Sequence, residues 1–263
     1  MCHSGKSVIR LIFATNMTAY DHDKIVPYGE SNLSKKDQVA GMFNDIAGKY
    51  DFLNRFLSAG IDIRWRKKAL RHLSELQPKK ILDVATGTAD VAIMATDILT
   101  PDEIVGIDIS DGMLAIGREK VSKAGLDNII TLYNGDSEAI NYPDQSFDAV
   151  TVAFGVRNFQ HLEKGLTEIL RVLKPGGKLV VLEFSKPTLP LVKTIYDLYM
   201  RIITPGVGKI FSKNRDAYKY LDESIRKFPE GKKFTDVLHR VGYQKTYFKK
   251  LSLGICSIYG AIK

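Results

Sequence analysis

Short apolar runs alternate with stretches of helical periodicity through the middle of the chain, and this alternation limits the fold more than any other feature. The strand candidates are residues 80–85, 103–109, 129–133, 147–154 and 178–184. The helix candidates between them are residues 90–99, 113–124 and 162–173. Strands that alternate with helices at this spacing form βαβ units with parallel strands and right-handed connections. The pattern therefore predicts a doubly wound sheet that binds ligands beyond the carboxyl ends of its strands.

The segments that flank this core differ from it in polarity and periodicity. Residues 1–37 are polar and irregular, so we expect a mobile N-terminal arm there. Met17 is a second candidate start, which would make residues 1–16 an upstream extension. Residues 38–263 are predicted to form one domain. Its parts are a helical cap at 38–77, a ligand-binding core at 78–186, a helical insertion at 187–242 and a C-terminal strand pair at 243–263.

The composition excludes several classes of protein. Cys2 and Cys256 lie at opposite ends of the chain, with no metal-ligand spacing and no disulfide framework, so we expect a reducing cytoplasm and no metal site. The net charge of +8 favours an anionic partner. No strand interleaves aromatic and basic residues as nucleic-acid-binding strands do, so we expect no nucleic acid partner. No apolar run approaches the roughly 18 residues of a membrane span.

Polar side chains follow the first three predicted strands at the points where those strands end. Gly87 lies in a turn of small residues after the first strand, Asp108 closes the second, and Asp136 and Ser137 follow the third. A carboxylate at the second position can accept hydrogen bonds from both ribose hydroxyls, although a helix cap is the alternative for Asp108 and a turn for Asp136. Together these residues indicate a nucleoside cofactor. The dinucleotide fingerprint needs three glycines where only Gly87 is present, which argues against an NAD(P) oxidoreductase.

Three segments together resemble a known family. Residues 50–58 (YDFLNRFLS), with Trp65 beyond them, are similar to one signature of the ubiquinone/menaquinone biosynthesis C-methyltransferase family. Residues 171–185 (RVLKPGGKLVVLEFS) are similar to a second signature, and residues 154–158 (FGVRN) resemble the family's segment after the fourth strand. The resemblance covers residues 38–263, which is nearly the whole chain.

The resemblance implies the class I methyltransferase fold, with a seven-stranded, mostly parallel sheet, N-terminal helices and a helical insertion before the C-terminal strand pair. In that fold the seventh strand lies antiparallel beside the fifth. The family's contacts to S-adenosylmethionine (SAM) fall on Thr88, Asp108, Asp136 and Ser137, with Gly87 at the centre of the first loop. Ala153 departs from the family pattern, which often has serine there, so the contact at that position is expected to be lost or to be made by the backbone.

The resemblance also implies that a ring carbon of a quinol is methylated, and that reaction needs an activated ring. A hydroquinone carbon becomes a good nucleophile when a ring hydroxyl loses its proton. Arg157 is expected to stabilise the resulting oxyanion, and its replacement by alanine to leave the fold intact; a structural salt bridge is the alternative. We expect Asn158 to orient Arg157, and Tyr50 and Asp51 to contact the ring hydroxyls, with core packing as the alternative for Tyr50. His161 is a weaker candidate for the base, and Asp62 stands where the first signature usually has histidine.

The implied substrate is a polyprenyl quinol, with demethylmenaquinol favoured over a benzoquinol of ubiquinone biosynthesis on overall resemblance. Other readings are a SAM methyltransferase of another small molecule and a non-catalytic SAM-binding partner; Arg157 and Asn158 argue against the second. A peripheral membrane contact and a homodimer are further expectations. Residues 191–211 combine apolar residues with Lys and Arg, which suits either a lid against lipid or a buried helix.

Overall fold

The computed structural model describes residues 20–29, 31–187, 189–192, 194, 198 and 215–263. The extension predicted at residues 1–16, half of the predicted arm and most of residues 191–211 lie outside the described residues.

A seven-stranded sheet forms the centre of the described molecule. Its strands are β1 (Lys80–Val84), β2 (Glu103–Asp108), β3 (Ile130–Asn134), β4 (Phe147–Ala153), β5 (Leu173–Phe184), β6 (Gln244–Leu251) and β7 (Cys256–Ile262). They lie in the order β3-β2-β1-β4-β5-β7-β6. The first five strands pair in parallel, and β7 runs antiparallel to both β5 and β6. The predicted doubly wound sheet and its antiparallel seventh strand are confirmed.

Helices cover both faces of this sheet. Those used below are α1 (Lys35–Leu57), α2 (Ile61–Arg71), α3 (Asp90–Leu99), α4 (Asp111–Lys123), α5 (Leu162–Val172), α6 (Arg215–Lys227) and α7 (Lys232–Val241). Leu70 of α2 and Leu114 of α4 join the core on one face, whereas Leu166 of α5 and Leu238 of α7 join the core on the other. Among the described residues, no helix is long and apolar enough to cross a bilayer.

Alternation along the strands produces the two cores. In β5, Leu179 and Val181 pack with α5 and α7, while Val180 and Leu182 pack with α2 and α3. Successive strand residues point to opposite faces, so a strand covered on both sides is apolar throughout, as this one is. The carboxyl ends of the parallel strands β1, β2 and β4 lie together at one end of the sheet. The predicted ligand contacts lie at this end.

Candidate active site

The loop after β1 turns through three residues with left-handed backbone conformations. The φ angles of Ala85, Gly87 and Ala89 are 54°, 58° and 64°. Glycine adopts this conformation without strain, and alanine does so at a modest cost. The loop also approaches the one that follows β4, because a Cβ atom added at Gly155 would lie 2.4 Å from the Cβ of Ala85. The close approach explains why small residues occupy this turn.

A first cavity of about 630 Å³ opens at the carboxyl ends of the strands. Four of the five predicted cofactor residues line it, namely Gly87, Asp108, Asp136 and Ser137. Gly135 and Gly155 contribute stretches of wall without side chains. The structure thus brings together residues from the ends of β1, β2, β3 and β4 around one space with both polar and apolar walls.

Asp108 is held in place by the backbone around it. One carboxylate oxygen accepts the N–H of Gly87 at 2.8 Å, and the other accepts the N–H of Ser110 at 2.9 Å. Burial raises the pKa of Asp108 above its usual value, and the backbone N–H groups oppose that rise. Each oxygen keeps a further lone pair. The carboxylate therefore has the geometry to accept two hydroxyl groups from a ligand in the cavity.

Asp136 is paired with a cation that sequence reasoning missed. The Lys36 ammonium group, at the start of α1, forms a salt bridge with one Asp136 oxygen, and the other oxygen accepts the N–H of Glu138 at 2.9 Å. Both Lys36 and Asp136 line the first cavity. A lysine in a polar N-terminal segment carries no sequence signal that would link it to a carboxylate 100 residues away.

Thr88 and Asp51 are not among the residues that line the two cavities. The Thr88 hydroxyl donates to Asp51 at 2.6 Å, and Lys120 of α4 donates to the other Asp51 oxygen at 2.9 Å. Lys120 also pairs with Asp90, the first residue of α3. These polar contacts tie α1 to the β1 loop. The structure therefore does not bring Thr88 or Asp51 into contact with a ligand in either cavity, because their side chains satisfy each other.

A second, larger cavity of about 1120 Å³ lies between α1, α2, α6 and the ends of β4 and β5. Its lining is mostly apolar, and α1 contributes Met42, Ile46, Leu53 and Leu57. Three aromatic residues, Phe43, Tyr50 and Phe154, line both this cavity and the first. The two cavities are therefore neighbours that share a wall.

Phe154, in that shared wall, has a strained backbone. Its φ angle of 59° is unusual for a bulky residue. Its N–H donates to the carbonyl of Leu182 at 2.7 Å, and its ring stacks on Phe184 at a centroid distance of 4.5 Å. Strain of this kind persists only where the surroundings enforce it, and it clusters at functional sites.

Arg157, the principal catalytic candidate, lies buried in the wall of the second cavity. Its guanidinium group donates to Glu183 at 2.6 Å and to the carbonyl of Phe154 at 2.6 Å. Its Nε atom is buried and has no hydrogen-bond partner among the described residues. Burial raises the pKa of Glu183, and the positive charge of Arg157 opposes that rise. The salt bridge considered as an alternative is present, and it leaves part of the guanidinium group unsatisfied.

Asn158 and Tyr50 lie near Arg157, whereas His161 does not contribute to either cavity. Asn158 lines the first cavity, and its side-chain oxygen accepts the hydroxyl of Tyr220 at 3.0 Å. His161 precedes α5, is half exposed, and pairs with Glu138 at 2.9 Å. Because the His161 ring is half exposed and pairs with Glu138, it is badly placed to take a proton from a ligand in the second cavity.

Asp62 and Arg66 form another buried ion pair in the wall of the second cavity. Asp62 also accepts the hydroxyl of Ser58 at 2.8 Å and pairs with Arg55. The sequence marks Asp62 only as a departure from the family pattern and gives no signal for Arg66. Both Asp62 oxygens are thus engaged by neighbouring side chains of α1, α2 and the turn between them.

Comparisons with known proteins agree with this geometry. The model of the ubiE/COQ5 methyltransferase family matches residues 31–263. A demethylmenaquinone methyltransferase of Bacteroides fragilis is 46% identical over 244 residues, which are 93% of this chain and 99% of that protein. The ubiquinone/menaquinone biosynthesis C-methyltransferase UbiE of Geobacter sulfurreducens is 45% identical over 226 residues, covering 86% of this chain and 88% of that protein.

The solved structure of a SAM-dependent methyltransferase from Aquifex aeolicus has the same fold. It superposes with a TM-score of 0.51 at 18% sequence identity, covering 70% of this chain and 81% of that one.

Proposed function

The chain belongs to the ubiE/COQ5 methyltransferase family, and from this premise we propose that it methylates a ring carbon of demethylmenaquinol in menaquinone biosynthesis. It is a SAM-dependent C-methyltransferase. The names of the relatives support the substrate, and the observation that carries the proposed reaction is the wall of Phe43, Tyr50 and Phe154 shared by the two cavities. A methyl donor on one side of that wall and an apolar acceptor ring on the other side would be close enough to react.

The residues around the first cavity fit a nucleoside cofactor. When bound there, SAM supplies an electrophilic methyl group. We propose that Asp108 accepts the ribose hydroxyls, and that Asp136 with the backbone of Ser137 contacts the adenine ring. Gly87, Gly135 and Gly155 leave space for a ligand to lie against the backbone.

The acceptor must be activated before its ring carbon can attack. A hydroxyl of the quinol loses its proton, and its electron pair moves through the ring so that the ortho carbon forms the new bond to the methyl group. The carbon–sulfur bond breaks, and the sulfur keeps that electron pair. Loss of the proton from the methylated carbon and reprotonation of the oxygen restore the quinol, so one proton is released in total. An oxidised quinone has no hydroxyl to ionise.

We propose that Arg157 stabilises the oxyanion formed in this step. A guanidinium group that is buried beside the ring and has an unpaired Nε can donate to an oxygen that gains charge. Glu183 holds one edge of the group, and Asn158 is a positioning residue for the same segment. Tyr50 is proposed to contact the ring, because it lies in the shared wall.

A benzoquinol is the second candidate substrate. The relative from Geobacter sulfurreducens is named for both ubiquinone and menaquinone biosynthesis. The lining of the second cavity accepts an aromatic ring of either type. The polyprenyl tail common to both substrates is the reason to propose peripheral contact with a membrane, on its cytoplasmic side. A homodimer remains a prediction.

The test is incubation with methyl-labelled SAM and short-tailed acceptors of both ring types, under strictly anaerobic conditions. The naphthoquinol lacking its ring methyl is expected to become labelled on a ring carbon, and the matching quinone is the control that should not. Equal labelling of quinol and quinone would refute the mechanism. Labelling of the benzoquinol alone would refute the substrate.

A further inference from the structure

The turn between α1 and α2 presents apolar side chains to solvent. Phe52, Phe56 and Ile61 are 63%, 47% and 38% exposed. The two phenyl rings stack on each other with centroids 5.9 Å apart, one turn apart on α1. Single exposed apolar residues are ordinary. An aromatic pair beside an isoleucine at a helix–helix turn forms a contiguous apolar patch, and such patches mark interaction surfaces.

A row of cations continues this patch along α2. Arg64, Lys67, Lys68 and Arg71 are all exposed, at the i, i+3, i+4 and i+7 positions of one helix face. In the part of the chain that the structure describes, no salt bridge reaches any of the four. Like charges at these spacings destabilise a helix slightly, so the row opposes helix formation unless an anionic partner compensates.

Further lysines surround the end of this row. His72 follows α2, and burial together with the nearby charges of Lys178, Lys249 and Lys68 lowers its pKa below the usual value. The positive surface thus extends from α2 to the edge of the sheet. We refer to Phe52, Phe56, Ile61 and the four cations of α2 as the α1–α2 elbow.

The elbow adjoins the second cavity. Leu53 and Leu57 line that cavity and belong to the same final turns of α1 that carry Phe52 and Phe56 on the opposite side. An apolar tail leaving the cavity past this turn would meet the exposed phenyl rings. A bilayer with anionic lipids matches both halves of the elbow, because its headgroups attract cations and its interface accepts aromatic rings.

We propose that the α1–α2 elbow docks on the surface of a membrane containing anionic lipid, with Phe52 and Phe56 at the interface and the cations of α2 against the headgroups. The orientation of the docked protein rests on the proposed function, because the tailed quinol would enter the second cavity from the bilayer. The docking itself rests only on the exposed rings and the unpaired cations.

The first test measures binding to phosphatidylcholine vesicles with and without phosphatidylglycerol by flotation. The parent is expected to bind the anionic vesicles and to release them as salt rises. Each cation near such a surface is worth about a fivefold change in binding, so the variant Arg64→Glu/Lys68→Glu should bind at least about 30-fold more weakly. The matched control is Lys232→Glu/Lys233→Glu, which changes the charge equally on α7, on the opposite face of the sheet, and should bind like the parent.

The second test addresses the rings. Phe52→Gln/Phe56→Gln should lose vesicle binding while keeping the parent's rate on a water-soluble, short-tailed quinol, because neither residue is among those that line the first or the second cavity. The control is Leu33→Gln, which is 60% exposed, lies just before the start of α1 and is roughly 30 Å from the two rings along the helix.

Several results would overturn the proposal. One is that the parent protein binds neutral and anionic vesicles equally, and another is that the α7 control loses as much binding as the elbow variant. A third is that the parent protein binds RNA but does not bind vesicles. If no quinol is methylated and vesicle binding still follows the elbow variants, the proposed substrate fails and the docking surface stands. If methylation proceeds and the elbow variants bind vesicles like the parent, the docking surface fails alone.

Discussion

Replacement of Arg157 by glutamine is expected to have two separable consequences, one for stability and one for catalysis. Glu183 is fully buried, and Arg157 is its ion-pair partner. Removing one member of a buried pair leaves the other charge uncompensated, which typically costs about 3–5 kcal/mol. For a chain of this size the loss corresponds to a fall in Tm of roughly 6–20 °C. From the sequence alone we expect that Arg157 can be replaced without affecting the fold. The buried ion pair predicts instead that its replacement lowers stability.

A second substitution separates the two effects. Glu183→Gln removes the stranded charge, so the double variant Arg157→Gln/Glu183→Gln should recover most of the lost stability. It should not recover activity, because the cation proposed to stabilise the oxyanion has been removed. Both variants are expected to lose roughly 10²–10³-fold in kcat, with little change in SAM affinity.

The pH dependence gives an independent check on the stability effect. Without Arg157, burial raises the pKa of Glu183 further above its usual value. Folded protein then binds more protons than unfolded protein between those two pKa values, so stability falls as pH rises through that window. The difference in Tm between the single and the double variant should be smallest at acid pH and should grow towards neutral pH. The measurements are thermal unfolding across pH and single-turnover methyl transfer. A double variant that regains both stability and turnover would exclude Arg157 from the chemistry.

Three further predictions follow from buried groups near the first cavity. Asp108→Ala should weaken SAM binding by about 1.5–3 kcal/mol, the scale of hydrogen bonds to a charged group, and unchanged calorimetric affinity would contradict its assigned role. Gly155→Ala should force its loop away from Ala85 and cost roughly 1–3 kcal/mol of stability, visible as lower Tm; a parent-like Tm would mean that the loops yield freely. Burial raises the pKa of Asp83 to about 6, so the free energy of unfolding falls as pH rises from about 4 to 6. Asp83→Asn should remove roughly 2–3 kcal/mol of that fall, which would appear as a flatter Tm–pH profile over this range.

Most of the sheet could be predicted because the five inner strands, β1, β2, β4, β5 and β7, are largely buried on both faces and are mostly apolar. β5 is the informative difference, since the sequence predicts residues 178–184 and the strand is Leu173–Phe184. Pro175-Gly176-Gly177 indicates a turn. Backbone pairing between Phe147 and Leu173 nevertheless carries the ladder across it, with a register shift before Ala149 meets Lys178. Such an irregularity depends on the neighbouring strand and leaves no periodic signal.

The positions of site residues could be predicted from sequence where the backbone fold fixes them. They could not be predicted where contacts between side chains fix them. Gly87 and Asp108 lie at strand ends, and parallel strands bring those ends together whatever the side chains do. Asp51 and Thr88 bond to each other and to Lys120, which reaches them from a helix that is distant in sequence. That choice depends on helix packing.

Glu183 carried a signal that sequence reasoning did not use. A carboxylate inside an apolar strand cannot be buried without a partner, so its presence in residues 178–184 already required a cation nearby. Arg157 was the candidate, because it follows the adjacent strand β4. Pairing the two from sequence would have anticipated the salt bridge.

The placement of the acceptor ring is tested most directly by a crystal structure of the protein with S-adenosylhomocysteine and an unreactive analogue of the demethylated naphthoquinol. The nucleoside is expected in the first cavity on Asp108. The ring is expected in the second cavity, with an oxygen at Arg157 and the unmethylated carbon facing the sulfur past Phe154. A ring bound outside the second cavity, or one whose oxygens lie away from Arg157, would contradict the account.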